Sequence, residues 1–305
     1  MSLKVSVLGS NSAIPTLKRH PSAQVVWADQ MPYLIDCGEG TQLQMRRYGI
    51  KFQRIRQIFI SHLHGDHYFG LLGLLTSMSL LGREKELTVF GTKGLVDIVE
   101  TNFRHSKTRL NYPCHFVELE EGQTGQIYED ERLKVECFPL RHRIPTFGFV
   151  FREKPRDPHF LKEKGEEFDV PVEAIQDIKA GSDFTTKDGR SIPNSELVSS
   201  KIEPEAFAYC SDTNFFPEII PHIKGVNLLY HEATFMEDMK KRAKETFHST
   251  AKQAAEIALQ ANVGKLIIGH FSTRYDDLEP LLLEVKEVFP NADLALEGEI
   301  YSTGV

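Results

Sequence analysis

The chain has 305 residues and a net charge of −7, with apolar and charged fractions ordinary for a globular protein, and it is long enough to bury a full core as one large α/β domain or two smaller ones. No uncharged apolar run reaches the roughly 18 residues that a membrane span needs. The acidic balance argues against a broadly basic nucleic-acid face. Basic residues nevertheless cluster locally: Arg46, Arg47, Lys51, Arg54 and Arg56; Arg104, Lys107 and Arg109; Lys240, Lys241, Arg242 and Lys244. Each cluster suits either a solvated face or phosphate contact.

From Met1 to Val5 the chain runs at once into an alternating strand pattern with no signal-peptide apolar core. Cys37, Cys114, Cys137 and Cys210 are far apart and form no C-x-x-C pair. Both features point to a reducing cytoplasm. Gln57-Ile58-Phe59-Ile60-Ser61 is a short apolar run ending at His62, and Gly70 to Leu81 predicts a packed helix through Leu71, Leu72, Leu74, Leu75 and Met78. From Arg152 to about Lys201 the texture changes, with Pro155, Pro158, Gly165, Pro171, Gly181, Gly189 and Pro193 punctuating a charged stretch. That is long for a loop inside a compact domain, and Phe160, Leu161, Phe168, Val170, Val172 and Ile175 predict a small inserted substructure.

Beyond it, Ala206-Phe207-Ala208-Tyr209-Cys210-Ser211 ends at Asp212, Asn227-Leu228-Leu229-Tyr230 ends at His231-Glu232, and Lys265-Leu266-Ile267-Ile268-Gly269 ends at His270. Strands that each deliver a polar residue at their C-terminal ends suggest an α/β sandwich with a site along one sheet edge. Between and after them, Thr250 to Leu259 predicts a helix capped by Ser249 or Thr250, and Leu278 to Phe289 a second one stopped by Pro290.

The segment Ser61-His62-Leu63-His64-Gly65-Asp66-His67 places three histidines and an aspartate within six residues. Imidazole nitrogen and carboxylate oxygen are zinc ligands, although these donor types also suit manganese and cobalt. Gly65 would let the backbone turn sharply enough to converge them. The loop holds one metal or more. His20, His105, His115, His159 and His222 lie in no ligand-like spacing, and solvated or packed positions suit them.

Several motifs extend this beyond the loop. In chain order they are Leu8-Gly9-Ser10 with Pro15-Thr16, Asp36-Cys37-Gly38-Glu39-Gly40-Thr41-Gln42, the histidine loop, His142 ahead of Pro145-Thr146-Phe147-Gly148-Phe149, Ser211-Asp212-Thr213, His231-Glu232-Ala233-Thr234, His248-Ser249-Thr250 and His270-Phe271-Ser272. Together they resemble the metallo-β-lactamase superfamily and, within it, the ribonuclease Z family of tRNA 3′-end processing endonucleases. The family's arm motif is matched at Ile178-Lys179-Ala180-Gly181, with Glu173-Ala174 where a Gly-Pro pair is usual. Its basic loop is matched by Arg54 and Arg56 alone.

The resemblance implies a four-layer αβ/βα sandwich over residues 1–305, interrupted at 152–201 by a flexible arm that binds tRNA. It implies a cytoplasmic homodimer of the short form with no membrane partner. Two zinc ions (Zn2+) per subunit are implied, one on His62, His64 and His142 and the other on Asp66, His67 and His270. The two oxygens of Asp212 would span both. A metal-bridging hydroxide would attack phosphorus in precursor tRNA. Asp66 would guide its proton, and His248, oriented by Glu232, would protonate the departing 3′-oxygen. The products would be a tRNA 3′-hydroxyl and a trailer with a 5′-phosphate.

A small-molecule phosphodiesterase or arylsulfatase on the same fold would share these ligands, but needs neither the insertion nor the basic clusters. A non-catalytic nucleic-acid-binding module would not need seven ligands.

Overall fold

Short runs rich in Val, Ile, Phe and Tyr pair into strands because branched and aromatic side chains pack well on a pleated surface. In the computed structural model, which describes residues 3–155, 158–199 and 203–304, they are β1 (Lys4–Gly9), β2 (Ala23–Ala28), β3 (Met31–Ile35), β4 (Gln57–Phe59), β5 (Leu87–Thr92), β6 (Cys114–Leu119), β7 (Gly125–Glu129), β8 (Leu133–Leu140), β9 (Thr146–Glu153), β10 (Phe184–Thr185), β11 (Ser191–Ile192), β12 (Ala206–Cys210), β13 (Leu228–Glu232), β14 (Lys265–Gly269), β15 (Ala292–Leu294) and β16 (Ile300–Ser302). Two seven-stranded sheets result, ordered β16-β1-β2-β3-β4-β5-β6 and β15-β14-β13-β12-β9-β8-β7. Each is mixed: β3 through β6 run parallel in the first, and β12 through β15 in the second.

Three apolar layers hold the sandwich together. Val5, Val26, Ile35, Phe59 and Phe90 of the first sheet meet Phe149, Phe151, Phe207, Tyr209 and Ile267 of the second in the central core. On the outer face of the first sheet, Val25, Leu34 and Ile58 pack against Leu71, Leu74 and Met78 of the helix Leu71–Leu80. On the outer face of the second, Leu229 and Ile268 pack against Ala254, Ile257 and Ala258 of the helix Ala251–Gln260. Both sheets are therefore buried on both faces across their centres. This is the four-layer αβ/βα sandwich, the metallo-β-lactamase fold.

Local signals set the helix limits. Thr250 caps Ala251–Gln260 through a capping box with Gln253, which satisfies backbone donors at the helix start. The final helix is shorter than its apolar pattern suggests, Glu279–Lys286.

The chain divides into two units, one formed by the segments up to Glu153 and from Glu205 onward, the other by Lys154–Pro204. The inserted unit begins two residues later than its composition suggested, because Arg152 and Glu153 still pair in β9 with β8 and β12; its expected limit at Lys201 lies outside the described residues. It has a core of its own, Ile178, Ile192, Leu197 and Val198, with Phe160, Phe168, Val170 and Phe184 packed against it. Among the described residues no helix is long and apolar enough to cross a membrane.

Candidate metal centre and active site

The parallel register of the second sheet brings three polar strand ends level. Cys210 pairs with His231, and Glu232 with Gly269, so Asp212, Glu232 and His270 emerge at one edge. The first sheet contributes from β4: His62 follows it closely, His64 precedes the short helix Gly65–Tyr68, and that helix carries Asp66 and His67. His142 follows β8, and His248 lies between the helices Lys240–Thr246 and Ala251–Gln260. His270 takes a left-handed backbone, φ 59°, a strained conformation for a residue with a β-carbon, of the sort found at functional sites.

These side chains converge on Asp212. Its Oδ2 lies 3.6 Å from His62 Nε2 and 3.7 Å from His142 Nε2, while His64 Nδ1 is 3.1 Å from both of those nitrogens. Its Oδ1 lies 3.3 Å from His67 Nε2 and 3.1 Å from His270 Nε2, and both nitrogens are 3.4 Å from Asp66 Oδ2. Two donor clusters thus share one carboxylate, one oxygen facing each. All seven residues named from the sequence are brought together.

The donor set fits divalent metal. Ligands about 2.0–2.1 Å from a tetrahedral ion stand about 3.3 Å apart, close to the separations above. His67 Nε2 is buried and, among the described residues, meets no partner in hydrogen-bonding geometry, despite the two carboxylates nearby. Burial above all drives His62, His64 and His142 toward the neutral form, which leaves their lone pairs available. Burial opposes ionisation of Asp66 and Asp212, yet the surrounding histidines outweigh it and hold both carboxyls well below the usual range.

A surrounding layer aims the donors. Asp36 accepts 2.7 Å hydrogen bonds from His67 Nδ1, Ser61 N and Tyr209 Oη. Phe247 O accepts from His142 Nδ1 at 2.9 Å, and Thr234 Oγ1 lies 2.9 Å from His270 Nδ1. Partners of this kind orient metal-binding imidazoles. Asp36 and Thr234 were not singled out in the sequence for this role. The signal for Asp36 was available, since the apolar run Tyr33-Leu34-Ile35 ends on it as the other four runs end on site residues.

His248 stands beside the clusters, with Nδ1 2.9 Å from Glu232 Oε1 and 4.0 Å from Asp212 Oδ2. Burial opposes its positive charge, but Glu232 outweighs this and pushes its pKa up to about 9. Glu232 is itself fully buried and accepts from Thr213 N, Thr234 N and Thr234 Oγ1. His231, one residue earlier, is not among the converging donors; its Nδ1 pairs with Glu232 O.

Gly65 serves differently from the expected sharp turn. It opens the helix Gly65–Tyr68 without a left-handed backbone, and a β-carbon there would lie 2.2 Å from Phe69 Cε2. The glycine makes room for a ring.

Five of the donors, His64, Asp66, His142, Asp212 and His270, floor a cleft of about 590 Å³, lined also by Arg143, Arg242, Phe69 and Phe235. Of the three basic clusters only the Lys240–Lys244 segment reaches this lining, through Arg242.

Comparison with known proteins agrees with this geometry. The family described as "Anti-Pycsar protein Apyc1" matches residues 3–161, and the "Beta-lactamase superfamily domain" matches residues 169–271. The chain is 47% identical over 294 residues to a ribonuclease Z of Parabacteroides distasonis, covering 96% of this chain and 97% of that one. It is 42% identical over 302 residues to a ribonuclease Z of Cytophaga hutchinsonii, covering 99% and 96%. Among solved structures, the short form of human tRNase Z superposes with a TM-score of 0.71 at 28% identity, over 99% of this chain and 100% of the other.

Proposed function

Because the chain belongs to the ribonuclease Z family of metal-dependent endoribonucleases, hydrolases of phosphodiester bonds, we propose that it removes the 3′ trailer from precursor tRNA. The cut leaves a 3′-hydroxyl on the tRNA and a 5′-phosphate on the trailer. The observation that carries this reading is the shared carboxylate: Asp212 turns one oxygen to each of two donor clusters, with the His248–Glu232 pair alongside.

In this reading His62, His64, His142 and Asp212 hold one zinc ion, and Asp66, His67, His270 and Asp212 hold a second. Bound there, the ions supply Lewis acidity toward water and phosphate oxygens. Asp66, kept ionised by its histidine neighbours, orients the attacking water and accepts its proton. His248 enters the reaction as an imidazolium, favoured by the buried Glu232 carboxylate beside it. Its Nδ1–H is held by Glu232, which leaves Nε2–H to protonate the departing 3′-oxygen. Arg143 and Arg242 in the lining attract the phosphates on either side.

The inserted unit is proposed to bind tRNA, supported by Lys162, Lys179 and Lys187 around one of its cavities. The chain is further proposed to act as a homodimer in the cytoplasm. Four free cysteines suit a reducing compartment, and sedimentation of the purified protein tests the dimer.

The deciding assay incubates the protein with a 3′-extended precursor tRNA, with and without chelator, and maps both new ends. Chelator-sensitive cleavage at one position, with the stated ends, is expected. Cleavage indifferent to chelator would overturn the metal-dependent reading, and rapid hydrolysis of a small phosphodiester with no tRNA cleavage would replace it with a small-molecule hydrolase.

A further inference from the structure

Phe69 is 62% exposed, yet it lines the same cleft as His64, Asp66 and His270. It caps the short helix that carries two of the metal-donor residues, and its backbone N–H donates to Gly65 O at 2.9 Å. The ring rests where a β-carbon on Gly65 would be, with Cε2 and Cζ at 2.2 and 2.4 Å from that position. Tyr68 meets it edge-on at 5.1 Å between centroids. The ring is braced against backbone close to the reaction centre, and much of it remains open to solvent. Phe235, the other phenylalanine of the lining, differs: it is 5% exposed and the Arg274 guanidinium covers it at 5.1 Å.

Scattered exposed apolar side chains are ordinary on protein surfaces. A fixed aromatic face beside a phosphodiester-cleaving centre is less so, and it matches how single-stranded RNA is held. Unpaired bases stack on aromatic rings while cations track the phosphates. Arg143 and Arg242 supply such cations in this lining.

We infer that Phe69 is the stacking platform for a nucleobase adjoining the scissile bond, and so sets the register of the single-stranded 3′ segment over the metal donors. This deepens the RNA-cleaving reading above and rests on it.

The test uses single-turnover cleavage of precursor tRNA by the full-length protein, with Phe69→Ala and Phe69→Tyr. The substrates are intact or carry one abasic residue, at either the last tRNA nucleotide or the first trailer nucleotide. Losing the stack should lower kcat/KM by roughly 5- to 150-fold. Phe69→Ala should show that loss, and Phe69→Tyr should recover most of it. At one of the two positions the abasic substrate should cost the wild type a similar factor and cost Phe69→Ala nothing more.

Losses that multiply at both positions, or a Phe69→Ala enzyme as fast as wild type, would overturn the assignment. Because the abasic and intact substrates are compared within each protein, a partly destabilised variant does not obscure that contrast. A wild-type protein that fails to cut even the intact precursor refutes the underlying reading instead, which separates the two failures.

Discussion

The Asp36 carboxylate accepts the Nδ1–H of His67 at 2.7 Å, and neither side chain is exposed at all. The bond directs His67 Nε2, an orphan among the described residues, toward the Asp66 and Asp212 carboxylates. An acidic residue that directly follows a strand of the first sheet thus controls which nitrogen a histidine of the short helix Gly65–Tyr68 presents.

Asp36→Asn should therefore weaken metal affinity by about 10- to 100-fold, the usual cost of disturbing such a partner. Competition against a chromogenic chelator measures it. Tyr209→Phe removes one donor to Asp36 while sparing the His67 contact, and should cost less. Equal affinities in the wild type and Asp36→Asn would reduce Asp36 to a packing role.

His248→Ala should lower single-turnover cleavage by about 10²- to 10⁴-fold, the range for removing a general acid, with bound metal unchanged. Glu232→Gln should act in the same direction. If Glu232 acts through the His248 Nδ1 it contacts, the double variant should be little slower than His248→Ala. Fully multiplied losses would mean that the two residues act separately.

Gly65→Ala should fold with stability within about 1 kcal/mol of wild type, because its backbone is not left-handed and alanine favours a helix. The new β-carbon would displace the exposed Phe69 ring, so cleavage of precursor tRNA should fall about as far as in Phe69→Ala. Combining the two substitutions should add little. Denaturant unfolding and single-turnover kinetics, measured side by side, test both statements.

Asp130 accepts hydrogen bonds from the hydroxyls of Tyr33 and Tyr128 and from the backbone N–H groups of Arg132 and Leu133. Burial works to raise its pKa, but these donors, led by Tyr33, lower it below the ordinary carboxyl value. A depressed folded pKa stabilises fully above the unfolded value, about 3.9, and the stabilisation is lost as pH falls through the folded value. Asp130→Asn should therefore cost about 1 kcal/mol at pH 7, modest because the group is half exposed. The difference from wild type should shrink below about pH 4. Denaturant melts across that range would show a constant gap if the charge were irrelevant.

Much of the sandwich was legible because each strand carries its own signal. Apolar runs of four to six residues, each ending on a polar residue, marked β4, β12, β13 and β14, and the capping residue Thr250 marked a helix start. Boundaries were less legible where pairing overrides composition. Arg152 and Glu153 look like the start of a charged insertion, yet the ladders from β8 and β12 hold them in β9. The inserted unit gave weak periodicity because its core is small and drawn from short elements.

By itself the sequence determined which donor types are present, three histidines and an aspartate within one loop, and the family whose motif order this chain follows. That follows from chemistry carried by single residues. The tertiary structure alone decided which oxygen of Asp212 faces which cluster, that Asp36 aims His67, and that Gly65 yields its space to Phe69. These relations depend on distances between segments far apart in the chain. They are set only when the register of two sheets brings their edges together, and no local pattern encodes a distance of that kind.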